Sequence, residues 1–342
     1  MTLQITWFVL WSVLWAVYFM LDGFVLGAGT LHNVLAKSEG ERRAVLRSFG
    51  PVWDGNEVWL VTAGGATFAA FPTTYALMFS YLYSALLLLL FGLIIRGVAV
   101  ELRNKEEGET WRKAWDAGIL VGSFLPALLF GVAFGNIFAG LPMDAAGYHG
   151  SLLGLLNPYG LVTGALFVLL FLVHGALYLS VKTTGALAGR AAAAAKKLWP
   201  ALLLVAAGFL VHTYFATRLF DNYLAHPALF LVPLAAVAAL VAVRVFLGKG
   251  ELLSAFAASC SVILLVVGTG VVGLFPNLIP SSLDPAYSLT IFNTSSSPYT
   301  LKIMTAVALV FVPIVIAYKI WVYRVFRAPV SAEEVAGEGQ AY

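Results

Sequence analysis

The chain has 342 residues, 61% of them hydrophobic and only 11% charged, with a net charge of +3 and one cysteine. An ordinary soluble domain carries about 25% charged residues, so a water-soluble fold is excluded for want of a polar surface. A nucleic-acid-binding face is excluded because there is no long basic run, and an internal disulfide because Cys260 stands alone. No cleavable leader is evident, since no basic region precedes the first apolar block.

Nine apolar segments follow in chain order, at roughly 5–27, 56–71, 75–96, 117–139, 159–181, 199–218, 227–246, 255–276 and 301–324. Crossing a hydrocarbon core about 30 Å thick takes about 20 helical residues. The second segment, Glu57 to Phe71, is short and contains Gly64 and Gly65. Hydropathy alone leaves it between a crossing and a re-entrant stretch.

Charge decides the count, because cytoplasmic loops collect Lys and Arg. Lys37, Arg42, Arg43 and Arg47 follow the first segment; Arg96, Arg103, Lys105, Arg112 and Lys113 follow the third. Both groups belong on the cytoplasmic side, so 56–71 must cross and 75–96 must return. Lys182, Arg190, Lys196 and Lys197 follow the fifth, Arg244 and Lys249 close the seventh, and Lys319, Arg324 and Arg327 close the ninth. Of the 20 basic residues, only Arg218 and Lys302 fall outside. The expectation is an all-α integral membrane protein of nine transmembrane helices, with its N-terminus outside and its C-terminus cytoplasmic.

Residues 1–140 read as an N-terminal helix bundle with spans 1–4, and 141–327 as a C-terminal bundle with spans 5–9. Residues 182–197, with the alanine run 191–195, read as the connector between the halves. The external segments 140–158 and 277–300 are rich in Gly, Pro, Ser and Asn, and the polar, acidic tail 328–342 is expected to be disordered.

Ionisable groups inside a membrane are costly, so each needs a reason. Asp22 lies near the cytoplasmic end of the first span; its plainer reading is a structural acid paired with an arginine. Asp54 and Glu57 are three residues apart, on one face of a helix that Pro51 would start, and are flanked by Trp53 and Trp59. Helix-end carboxylates stabilised by the dipole are the plainer account. Two acids beside tryptophans at the membrane edge could also load and release protons. Arg96 can snorkel, or neutralise Asp22 or Asp54, and Glu101 can pair with Lys105 at i,i+4. Asp116 reads as a helix-start acid. Asp22, Asp54, Glu57, Arg96 and Glu101 all lie toward one leaflet, as an uptake funnel for protons or cations would require.

His32 falls in the first internal loop, and His149 and His226 in or beside external loops. His174 and His212 lie inside antiparallel spans but about 10 Å and about 20 Å from the inner edge, at 1.5 Å per residue. Two ligands of one haem should match in depth, so structural histidines are expected and no metal site is assigned.

The segments Asp22-Gly23-Phe24, Pro51-Val52-Trp53-Asp54-Gly55-Asn56-Glu57-Val58-Trp59-Leu60, Gly122-Ser123-Phe124, Gly131-Val132-Ala133-Phe134-Gly135-Asn136, Asn157-Pro158-Tyr159-Gly160 and Pro280-Ser281-Ser282 carry a resemblance. In order and over nearly the whole chain, they resemble subunit II of the cytochrome bd-type quinol oxidases. The tryptophan–Asp–Gly–Asn block is the specific part. The resemblance implies two four-helix bundles plus a peripheral helix, in a complex that oxidises quinol and reduces O₂ to water. It puts haem b and haem d in a haem-bearing subunit I, with no catalytic residue in this chain. It assigns this chain a role in assembly and in a cytoplasmic proton path through Asp54 and Glu101, with Asp22, Glu57 and Arg96 beside it and Trp53, Asn56 and Trp59 in a haem-proximal motif. Asp54 matches the family motif; Glu101 stands where many relatives have Asp, and Glu57 where some have Gln. A bound quinone or lipid and a small single-span third subunit are further partners the resemblance allows. A proton-coupled secondary transporter and a plain membrane scaffold are the competing readings.

Overall fold

A computed structural model describes residues 1–337. Helix α1 (Thr2–Leu35) is 34 residues long, about 51 Å at 1.5 Å per residue. It continues well past the expected end near residue 27, because Ala28, Leu31 and Leu35 keep finding buried contacts. His32 is therefore a wholly buried helix residue and not part of a loop. Ser38 caps α2 (Glu39–Phe49) by accepting from the Glu41 amide, and α2 buries Ala44, Val45, Leu46 and Phe49 on one face.

Helix α3 (Trp53–Ala70) has 18 residues, about 27 Å of rise. The next crossing is two helices, α4 (Pro72–Tyr81) and α5 (Tyr83–Leu102), where the hydropathy pattern predicts one. The break at Leu82 holds neither Pro nor Gly. Leu82 is instead buried with Leu141, Met143 and Leu155 from the external segment, a tertiary contact that hydropathy does not register.

Four long helices follow with one short one among them: α6 (Glu109–Ala139), α7 (Pro158–Lys182), α8 (Gly185–Ala216), the short α9 (Phe220–Ala225), and α10 (Leu231–Lys249). Asn157 caps α7 through the Gly160 amide at 2.8 Å, with Pro158 in the first turn. The chain closes with α11 (Leu252–Leu274), α12 (Pro298–Val325) and α13 (Ala332–Gly337). Among the described residues, eight helices are long and apolar enough to cross a membrane. Helix α3, expected as a further crossing, is not among these eight; its polar first turn lowers its hydropathy.

Neighbouring helices pack side by side, α5 on α6, α6 on α7, α7 on α8 and α10 on α11, with α1 running against α3, α6, α7 and α11, while α12 leans on α1 and α3 from outside. Only Leu301 of α12 is buried. Helices α1 and α7 cross at glycines: a Cβ on Gly27 would lie 1.8 Å from the Phe171 carbonyl oxygen, and one on Gly175 2.4 Å from the Ala28 nitrogen. Small residues let membrane helices approach until their backbones touch.

The expected connector and the described part of the tail both carry regular structure. The expected connector 182–197 is mostly the start of α8, because its alanines favour helix and Leu187, Ala191 and Ala195 are buried. In the tail, the Val330 amide donates to the Lys182 carbonyl at 2.8 Å, and α13 packs on α2 with Val335 buried. Residues 338–342 of that tail lie outside the described residues. The external segments are tied together, the Leu141 amide donating to the Pro280 carbonyl at 2.9 Å and the Ser282 amide to the Leu141 carbonyl at 2.9 Å.

Candidate functional site

Three helices bring three charges together. Asp22 from α1 and Arg96 from α5 are both essentially unexposed, and Arg96 Nη1 donates to Asp22 Oδ2 at 2.9 Å. Arg96 Nη2 donates to Glu57 Oε1 from α3. Gly122 on α6 lets the α5 backbone come close at this level: a Cβ there would lie 2.6 Å from the Arg96 backbone nitrogen. The Tyr18 hydroxyl donates to Asp22 Oδ2 at 3.4 Å, while Asp22 Oδ1 has no partner among the described residues. One guanidinium serves two carboxylates, so a single proton taken up by either acid brings the cluster to neutrality.

The cluster is closed on the Asp22 side and open on the other, since the Glu57 side chain is 21% exposed. Asn56, buried beside it, donates from Nδ2 to the Leu21 carbonyl at 2.8 Å and accepts at Oδ1 from the Tyr323 hydroxyl at 3.0 Å and Lys319 Nζ at 3.4 Å. Trp59 is buried one helical turn further along α3.

Asp54 and Glu101 stand at the rim. Both are exposed. Asp54 Oδ1 accepts from the Gly55 amide at 2.6 Å, and Glu101 Oε1 accepts from Trp53 Nε1 at 3.3 Å. Neither is hydrogen-bonded to Arg96, so of the two acids considered as its partner it is Asp22 that is chosen, with Glu57 added. The proposed Glu101–Lys105 pair gives way to the Trp53 contact.

Asp116 is more than a helix-start acid. Arg103, fully buried, donates from Nε to Asp116 Oδ1 at 2.5 Å and from Nη2 to Oδ2 at 3.1 Å, and grips Glu39 at 2.8 and 3.0 Å. Bidentate geometry of this kind is the strong form of an ion pair. Burial pushes the Glu39 carboxyl up, but the Arg103 hydrogen bonds and charge, with Arg112 and Arg43, outweigh it and pull the group down to about 2. His32 Nδ1 lies 3.5 Å from Asp116 on the inner side of this network.

Tyr18, Lys319 and Tyr323 were invisible as site residues in the sequence. Lys319 counts there only as a topological charge, and it reaches Asn56 across 263 residues of chain. Spacing carries no signal for such a contact.

His174 offers no ring nitrogen to an iron: Nδ1 is 2.7 Å from Ser259 Oγ and Nε2 is 3.0 Å from the Met20 carbonyl oxygen. His212 packs edge-on against Tyr159 at 5.1 Å.

A family profile described as cytochrome bd terminal oxidase subunit II matches residues 3–326. The chain belongs to that family. Among similar relatives, the cytochrome bd ubiquinol oxidase subunit 2 of Bacillus subtilis is 37% identical, the match covering 96% of this chain and 97% of that protein. The probable cytochrome oxidase subunit 2 of Haemophilus influenzae is also 37% identical, covering 94% and 93%. The cytochrome bd-I ubiquinol oxidase subunit 2 of Escherichia coli is 34% identical, covering 97% and 96%. The bd oxidase structure from Geobacillus thermodenitrificans superposes with a TM-score of 0.79 at 18% identity, over 95% of this chain and 99% of that one. That likeness speaks to the fold of this bd-family subunit.

Proposed function

We propose that this chain is the subunit II of a membrane oxidase that oxidises quinol and reduces O₂ to water, and that it supports assembly and conducts protons from the cytoplasm. Water formation consumes protons, and a reaction centre within the bilayer must draw them through a medium that resists charge. The buried Asp22–Arg96–Glu57 cluster is the observation that carries the reading. It can hold one proton at no net charge, it opens through Glu57, and Asp54 and Glu101 stand at the surface on either side of Trp53.

Glu101 and Asp54 collect protons at the rim in this reading, and Glu57 and Asp22 receive them in turn. The basic side of the protein faces the cytoplasm, which puts the N-terminus outside and the rim on the side where protons are taken up. Uptake from one side only makes turnover electrogenic. Haem b and haem d belong to the partner subunit I, and so does the oxygen chemistry, consistent with the engaged nitrogens of His174.

A proton-coupled carrier would place its charged or broken-helix site near the midplane. The crossing broken at Leu82 has no charge beside it, and the charged cluster lies about one turn inside α3, so the geometry favours the oxidase subunit.

The test is O₂ consumption and haem absorption of the complex co-purified with its partner, comparing the parent with Asp54→Asn and Glu101→Gln. Full turnover in both variants, with assembly intact, would place the proton route elsewhere.

A further inference from the structure

Helix α12 brings one cation to the buried cluster. Lys319 lies about 9 Å before the end of α12 at Val325, at 1.5 Å per residue. Its side chain is half-buried, and its only hydrogen bond among the described residues is to Asn56 Oδ1, at a long 3.4 Å. Tyr323, one turn on, donates to the same oxygen at 3.0 Å, and Asn56 Nδ2 is bonded to the Leu21 carbonyl at 2.8 Å. The ammonium, with three N–H groups to place, therefore rests on a shared neutral acceptor and forms no ion pair among the described residues. The first turn of α3 leaves it room: a Cβ on Gly55 would lie 2.6 Å from Lys319 Nζ and 3.6 Å from Cε.

A lysine near the end of a membrane helix ordinarily snorkels, with its stem in the lipid and its head in the water. Arg324, nearer the helix end, is exposed in that way. Lys319 turns inward instead, toward two carboxylates. Asp54 adjoins Gly55 in the chain, and Asp22 follows Leu21, whose carbonyl Asn56 holds. Asp54 and then Asp22 attract Lys319, although neither is near enough for an ion pair. A cation partly kept from water without a carboxylate on it is costly, so its place needs a reason. The other titratable groups around Lys319 and Tyr323 are Tyr18 on α1, Glu57 on α3, Arg96 and Glu101 on α5, Tyr178 on α7 and Cys260 on α11. Arg324 and Arg327 border the same cleft but are exposed. Arg96 is thus the one other buried cation here, and Asp22 and Glu57 already hold it.

We propose that Lys319 is a positioning residue of the proton inlet: a counter-charge, seated against α3 in the gap at Gly55, that serves Asp54 and Asp22 together. A positive charge within reach of two acids favours their ionised forms. Each proton that either acid takes up is thus given up more readily, which keeps a proton from stalling between the rim and the buried cluster. The ammonium itself stays protonated, and no bond to it forms or breaks. The inference rests on the proton route proposed above and adds to it a residue of the peripheral helix.

Infrared titration of the co-purified complex reads carboxyl protonation without turnover, and the bands lost in Asp22→Asn and Asp54→Asn assign the two acids. Lys319→Gln offers Asn56 a neutral donor in place of the ammonium. It should raise the titration midpoint of at least one of these bands by about one pH unit, a tenfold gain in proton affinity. Lys319→Arg keeps the charge and should keep the parent midpoints. Gly55→Ala keeps every charge but puts a methyl group where the ammonium lies, and should give a smaller rise in the same direction. O₂ consumption, measured separately, should slow severalfold in Lys319→Gln and stay near the parent rate in Lys319→Arg. Unmoved midpoints in Lys319→Gln overturn the proposal whatever the turnover, and so does an equal shift in Lys319→Arg, which marks a structural role. Moved midpoints with O₂ consumption unchanged would uphold the counter-charge and overturn the proton route. Should Lys319→Gln fail to assemble, unmoved midpoints in Gly55→Ala overturn the proposal on their own.

Discussion

The guanidinium of Arg96 lies 2.9 Å from Asp22 Oδ2, and both side chains are sealed from the surface. Breaking a buried pair by removing one partner costs about 3–5 kcal/mol, because the other charge is left uncompensated. Arg96→Gln leaves two carboxylates facing each other and should sharply lower the yield of assembled complex. Asp22→Asn should be milder, since Arg96 keeps Glu57. The double variant should recover part of the loss, and thermal unfolding of the purified complexes in detergent measures all three. Equal loss in Arg96→Gln and Asp22→Asn would show that Glu57 does not hold the arginine.

Asp54 contributes little to packing: it is exposed, and its carboxylate is bonded only to the amide of the next residue. Asp54→Asn should therefore leave haem absorption and assembly unchanged while slowing O₂ consumption about tenfold or more, the scale of losing a positioned acid–base group. Glu101→Gln should slow it less, because water at the membrane edge can replace a residue at the rim. Loss of the complex in Asp54→Asn would instead mark the residue as structural.

Much of the architecture was legible because lipid imposes long apolar blocks and the sorting of Lys and Arg imposes their order. The expectation that α3 crosses, against its weak hydropathy, rests on charge alone. The Asp22–Arg96 pair was legible only as one of two options, since the sequence offers Arg96 either Asp22 or Asp54 and the fold selects Asp22. What could not be read depends on contacts between distant segments. Leu82 breaks a helix where it packs with Leu141 and Leu155, and α8 begins as early as Gly185 with Leu187, Ala191 and Ala195 buried against the bundle. Asp116 looked like a helix-start residue because nothing in its own neighbourhood reveals Arg103 thirteen residues earlier, turned back across the α5–α6 turn. Lys319 and Tyr323 join the site from the far end of the chain, where only a fold can bring them.

The crossing of α1 and α7 allows a steric test. A side chain at Gly27 would run into the Phe171 backbone carbonyl, which cannot rotate away as a side chain could. Overpacking commonly costs about 1–3 kcal/mol even where neighbours can shift, so Gly27→Val should exceed that and prevent α1 from docking on α7. Gly64→Ala is the control, since nothing lies within 4 Å of a Cβ there and alanine favours the helix. Expression of tagged variants, followed by size-exclusion chromatography, should show a normal complex for Gly64→Ala and aggregate or no complex for Gly27→Val.

Glu39 supplies a pH dependence with a definite sign. Its carboxyl is held at about 2, below the ordinary value of 4.5, by Arg103 in spite of its partial burial. A group whose folded pKa is depressed stabilises the fold above its unfolded pKa, and that contribution fades as pH falls toward the folded value. The clamp between α2 and the α5–α6 turn should thus be fully effective above about pH 4.5 and weaken steadily from there toward pH 2. Glu39→Gln removes the titrating group, so the variant should be less stable than the parent at pH 7 and the gap should close on acidification. Thermal unfolding of the purified complex at a series of pH values between 7 and 3 measures the gap directly. A gap that stays constant across that range would show that the ionised Glu39–Arg103 pair contributes nothing to stability.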